Sequence, residues 1–201
     1  MLALSDGVFA IIITLLVLEI HVPELARGQS LSHALREVRP SFVSFLITFV
    51  VVAISWAGHR DLFSLIRRTD RALVWFNIVY LLPLCVLPFG ASLLARYEEE
   101  PVALQMYGLM LLAGSIARLA IWVYATGRPH LLYVQMDSIS RRNGALVVVL
   151  HGAAYAVAIL VADSSPSASL IIYAAVPILY FVGITLLRTS APAGSAEREF
   201  T

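Results

Sequence analysis

Six apolar runs, each closed by charged residues or turn formers, limit what this chain can fold into more than any other feature. They are Leu2 to Ile20, Phe42 to Leu62, Ala72 to Ala95, Val102 to Ala125, Ala145 to Ala162 and Ser169 to Leu187. A hydrocarbon core about 30 Å thick is crossed by roughly 20 apolar residues at a helical rise of 1.5 Å. None of the runs shows the polar/apolar alternation of a barrel strand, and open sheet edges cannot sit in lipid, so each is expected to be a helix. Composition agrees, with 60% hydrophobic and 13% charged residues among 201. Soluble domains carry about 45–50% apolar and about 25% charged residues, so too little polar surface remains here to face water. The expected class is an all-α integral membrane protein with six transmembrane helices. A net charge of +1 excludes the basic excess of a nucleic-acid binder, and the single Cys85 excludes a disulfide framework or a multi-cysteine metal site.

The charges also orient the helices. With the N-terminus in the cytoplasm, the inner segments hold Arg60, Arg67, Arg68, Arg71, Arg128, Arg141, Arg142, Arg188 and Arg198, and the outer ones only Arg27, Arg36, Arg39 and Arg96. This asymmetry predicts both termini on the cytoplasmic side of the cell membrane. The first run is not read as a secretory signal, because no basic residue precedes it, Asp6 lies in its first turns and no small-x-small site precedes Glu19. Leu31, Leu35 and Val38 share a helical face in the first connection, which suggests a short interfacial helix. Pro83, Pro88 and Pro177 fall inside the third and sixth runs and are expected to mark kinks. Residues 1–188 form the expected membrane domain, and the small, polar stretch 189–201 is expected to be a disordered cytoplasmic tail.

No enzyme motif is present: there is no nucleophile elbow, zinc-binding His-Glu-x-x-His, phosphate-cradling glycine loop or Cys-x-x-Cys. His21, His33, His59, His130 and His151 are scattered, with no i, i+4 pair to present two nitrogens to a metal. Polar residues inside the spans are the better lead, because each is costly in lipid and usually faces a bundle interior. Ser5 and Asp6 begin the first helix, Trp56 and His59 approach the end of the second and Asn77 begins the third, all at one depth. They are expected to satisfy one another as a structural network, a proton relay or ion site being the sharper alternative. Arg118 lies inside the fourth run, about 12 Å of helix rise from its end, either snorkelling or paired with Asp6.

These residues carry a resemblance. The stretch Leu4-Ser5-Asp6-Gly7-Val8-Phe9-Ala10-Ile11, continuing to Ile20, resembles the first-helix signature of the transmembrane protein 175 family, the bacterial homologues of the lysosomal potassium channel. Trp56-Ala57-Gly58-His59-Arg60 resembles that family's Trp-x-x-His end of helix two, and Trp75-Phe76-Asn77 with Leu87-Pro88-Phe89 resembles its third helix. The likeness covers the first ninety residues by motif and the rest mainly by hydropathy. The family pattern is Arg-x-x-x-Phe-Ser-Asp; here Leu4 stands in place of the Phe, and the Arg would fall before Met1.

The resemblance implies a homotetramer of six-helix subunits in which the first helix of each lines a central, potassium-permeable pore. Its pore positions map onto Ile11, Leu15 and Leu18 as apolar constrictions, with Thr14 as a hydroxyl layer. The spacing agrees, since all four fall on one helical stripe; such a stripe without the motif would read as packing or lipid contact. There is no Thr-Val-Gly-Tyr-Gly loop, so no ladder of backbone carbonyls can replace an ion's hydration shell. Modest selectivity for potassium over sodium is expected from a narrow apolar ring that doubles as a hydrophobic gate, with Glu19 at the outer mouth. No cofactor is expected beyond permeating potassium, and the expected partners are further copies of the chain and membrane lipid. A proton-coupled secondary transporter is the alternative, and an enzyme or a scaffold ranks behind both.

Overall fold

The computed structural model describes residues 1–25 and 27–189. Its elements in chain order are α1 (Leu2–Leu18), α2 (Leu31–Glu37), α3 (Arg39–Ser64), α4 (Arg71–Cys85), α5 (Leu87–Arg96), α6 (Pro101–Thr126), α7 (Ser138–Val161) and α8 (Pro166–Thr189). A 3₁₀ turn at Pro129–Leu131 precedes α7, and an isolated antiparallel bridge joins Ile66 to Leu132. The expected tail, 189–201, lies outside the described residues from 190 onward.

Helix starts follow capping chemistry. Ser30 accepts from the His33 amide to open α2, Asp70 from Leu73 to open α4 and Asp137 from Ser140 to open α7. The Asp137 cap explains why α7 begins seven residues before the apolar run that Ala145 opens, carrying Arg141 and Arg142 inside the helix. Prolines sit in the first turns of α3, α5 and α6, where a missing N–H costs no hydrogen bond.

The third run is interrupted where prolines were expected to kink it. The helical span that contains it, Arg71–Arg96 with 26 residues, divides at Val86 into α4, which contains Pro83, and α5, which carries Pro88 in its first turn. Pro177, by contrast, lies within α8. Among the described residues, four spans are long and apolar enough to cross a membrane: α3, the α4–α5 pair, α6 and α7. The first run gives a 17-residue helix, about 25 Å at 1.5 Å per residue and thus shorter than a typical core.

A core of buried Leu, Ile, Val and aromatic residues joins α1 to α3, α4, α5 and α6 and continues through Tyr155 of α7 to Tyr173 of α8. At one end, Arg67 donates to the Leu131 carbonyl at 2.7 Å and Tyr133 to Leu65 at 3.0 Å, which ties the α3–α4 loop to the α6–α7 loop. At the other end, α2 lies against α3 with only Ala34 buried, leaving Leu31 and Leu35 exposed.

Candidate functional site

The two faces of α1 have different surroundings. Ser5, Phe9, Ile12 and Leu16 are buried, and their spacing of four, three and four draws one stripe against α3, α4 and α5. The opposite stripe has no cover within the subunit: Ile11 is 59% exposed and Leu18 67%, and Leu4, Thr14 and Leu15 are exposed with them. The four residues assigned to a pore by resemblance, Ile11, Thr14, Leu15 and Leu18, all lie on this uncovered side. Thr14 donates its hydroxyl proton to the Ile11 carbonyl at 2.9 Å. Its oxygen lone pairs are thereby left facing outward.

The buried stripe is held at one end by polar side chains. Asn77 donates through Nδ2 to Ser5 Oγ at 3.0 Å and offers Oδ1 to His59 Nε2 at 2.7 Å. With Asn77 in this orientation, His59 carries its proton on Nε2 and Nδ1 is a bare lone pair, buried and without a partner. Aromatic rings enclose that imidazole: Tyr80 is nearly parallel at 5.6 Å, Phe63 is stacked at 4.3 Å and Phe9 is tilted at 5.7 Å. Ser5, His59 and Asn77 are thus a buried chain linking α1, α3 and α4.

Asp6 is not part of that chain. Its carboxylate accepts from the Trp56 indole N–H at 2.7 Å, an independent link between α1 and α3. The five residues therefore divide into Ser5–Asn77–His59 and Asp6–Trp56. The division follows from the helix: adjacent positions 5 and 6 point about 100° apart, so the serine faces inward and the aspartate sideways.

The suggested pairing of Arg118 with Asp6 is not what the structure shows. The Arg118 guanidinium donates to the Tyr180 hydroxyl, lies over the Tyr180 ring and packs against Gly58, on the side of α6 that faces α8 and α3. No sequence signal marks Tyr180 as its partner, because the contact depends on how α6 and α8 are rotated against each other.

Outside the membrane-spanning helices, Asp70 accepts the Leu73 amide at 2.8 Å and the Tyr124 hydroxyl at 2.7 Å. The amide bond first, then the phenol, holds its carboxyl below the usual carboxylate range. Among the described residues, no group of three or more His, Cys, Asp or Glu side chains is placed to hold a metal ion.

Comparison with known proteins joins these observations to a family. The family model for the endosomal/lysosomal potassium channel TMEM175 matches residues 1–88, which include α1 and all five polar residues of its anchor. A potassium channel of Streptomyces collinus is 38% identical over 144 residues, 70% of each chain, and one of Chamaesiphon minutus is 39% identical over 140 residues, 67% of this chain and 69% of that one. The human endosomal/lysosomal proton channel TMEM175 is 27% identical over 159 residues, which are 77% of this chain but 32% of the human protein. The crystal structure of a lysosomal potassium-selective channel TMEM175 homologue from Chamaesiphon minutus matches with a TM-score of 0.80 at 31% identity, covering 94% of this chain and 96% of that one. An all-helical membrane fold, the Ser-Asp-Gly first helix with its anchor and relatives of this identity and coverage lead to one conclusion: the chain belongs to the TMEM175 family.

Proposed function

We propose that the protein is a potassium-permeable cation channel of the cell membrane. Four copies place α1 around a central axis, each subunit crosses the bilayer six times and both termini are cytoplasmic. The observation that carries this reading is the uncovered apolar stripe of α1, whose other face is packed and anchored by hydrogen bonds. The relatives named as potassium channels support it. Such a helix needs either lipid or copies of itself on that face, and a ring of copies turns the stripe into a conduit.

In this reading Ile11, Leu15 and Leu18 form apolar rings. Ile11 is the constriction, closed when the ring narrows enough to expel water, and it favours potassium modestly because potassium gives up its water more easily than sodium. Thr14 supplies outward lone pairs beside it to meet a partly dehydrated cation. Residues 1–188 form the channel domain. The polar anchor sets the rotation of α1 and holds the stripe toward the axis. The chain is assigned no catalysis, and potassium is its permeant ion rather than a cofactor.

A planar bilayer holding purified protein under a potassium/sodium gradient tests the reading. A reversal potential displaced toward the potassium equilibrium value supports it, and the absence of any conductance overturns it. Since the human relative is named a proton channel, a pH gradient is the second condition to apply.

A further inference from the structure

Among the described residues, Arg118 has no carboxylate partner where it most needs one. A guanidinium stays ionised in proteins and is costly inside a bilayer unless it is paired. Among the described residues no carboxylate lies within 4.0 Å of it, and the Tyr180 hydroxyl satisfies only one of its five N–H groups. The guanidinium borders a groove of about 300 Å³ between α3, α6, α7 and α8. Leu62, Leu65, Val147 and Val148 give that groove apolar walls, with Trp122 beside them.

A second charge lines the same groove. Asp61 lies three residues from the end of α3, one turn nearer that end than Gly58, against which the guanidinium packs. Asp61 already interacts within the chain. A carboxylate has about four lone-pair sites, so it can take a further donor.

Depth fixes the order of these charges. The 26 residues of α3 span about 39 Å, so a core of about 30 Å leaves each end some 4–5 Å outside the hydrocarbon. Gly58, six residues from the end, then lies about 4–5 Å below the boundary, and Asp61 lies at it. Moving outward from Val147 and Val148, the groove presents apolar wall, positive charge and negative charge, with Leu62 and Leu65 flanking the carboxylate. An aminophospholipid presents the complement in the same order, from glycerol and acyl chains to phosphate to ammonium.

We propose that this groove seats the headgroup of a zwitterionic aminophospholipid from the leaflet on which α3 ends, with its phosphate on Arg118 and its ammonium on Asp61. The acyl chains leave past Val147 and Val148. The bound lipid supplies a counter-charge that no described side chain supplies.

The test measures thermal unfolding of the purified full-length protein in detergent, with added phosphatidylethanolamine, phosphatidylglycerol or inorganic phosphate. Phosphatidylethanolamine is expected to raise Tm by about 3 °C or more and to exceed phosphatidylglycerol, whose headgroup has no ammonium, while inorganic phosphate does little. Arg118→Gln should abolish the shift. Asp61→Asn should keep binding but remove the preference for the zwitterionic lipid. Val147→Trp, which fills the groove and leaves both charges in place, should abolish the shift even if Arg118→Gln does not fold. The proposal is overturned if phosphatidylglycerol stabilises the native protein as well as phosphatidylethanolamine, if inorganic phosphate alone reproduces the shift, or if Val147→Trp leaves it intact. The readout does not depend on ion conduction, so its failure and that of the channel reading are separable.

Discussion

Asn77 satisfies two other buried groups at once, and that makes it the most sensitive single residue of the anchor. Asn77→Leu keeps the branching but leaves the His59 Nε2 proton without its acceptor and the Ser5 hydroxyl with only its 3.5 Å contact to the Met1 carbonyl. Each orphaned buried group costs about 1–3 kcal/mol, so thermal unfolding in detergent should shift down clearly. Asp6 offers a cleaner contrast because its one hydrogen-bond partner here is the Trp56 indole. Asp6→Asn retains an acceptor and should unfold close to the native protein, whereas Asp6→Ala should lower the stability and the yield of the proposed tetramer. A fully stable, assembled Asp6→Ala protein without current would sink the structural role and move Asp6 into conduction. Depth made these residues visible as a group in the sequence. Which of them bond to one another was not visible, because neighbouring positions on a helix face different directions.

At the level of elements, close approach between helices is as decisive as apolar length. A Cβ on Gly108 of α6 would collide with the Tyr173 hydroxyl and with Ile159 Cγ1, and that hydroxyl donates to the Leu104 carbonyl. Gly108→Ala should therefore force α6 away from α8 and cost about 1–3 kcal/mol by overpacking, read as a lower Tm and reduced yield. The α4 cap has a pH signature. Because the folded carboxyl of Asp70 is held below its unfolded value, the stability it contributes is present above the unfolded pKa, near 3.9, and is lost as pH falls through the lower folded value. The Tm difference between native protein and Asp70→Asn should be constant near neutrality and shrink as pH falls below about 4 toward the lower folded pKa; a difference with no decline between pH 5 and pH 2 would mean that the cap does not act through its charge.

For the whole molecule, the proposed consequence of the uncovered face of α1 is a pore. With Cys85 replaced, Ile11→Cys should form disulfides between subunits under oxidation if four such helices meet on the axis; none forming would remove α1 from the pore. Ile11→Asn should hydrate the ring, raise open probability and blur discrimination between potassium and sodium. Thr14→Val keeps the shape but removes the hydroxyl, so it should lower selectivity with the apolar gate retained. Reversal potentials and conductances of the two variants separate a gate that excludes water from a hydroxyl layer that replaces it.

The six apolar runs, the short helix α2, the proline interruption of the third run and the shared depth of Ser5, Asp6, Trp56, His59 and Asn77 follow from order along the chain, because length, capping and rise per residue are local properties. The tertiary structure alone decided that Asp6 turns to Trp56 while Ser5 turns to Asn77, and that Arg118 meets Tyr180 instead of an acid. It alone also decided which stripe of α1 remains uncovered, since α1 is apolar on nearly every side and its hydropathy pattern does not choose a face. Rotation of a helix about its axis is set by the side chains it packs against, and those come from segments about 40 to 90 residues away in the sequence.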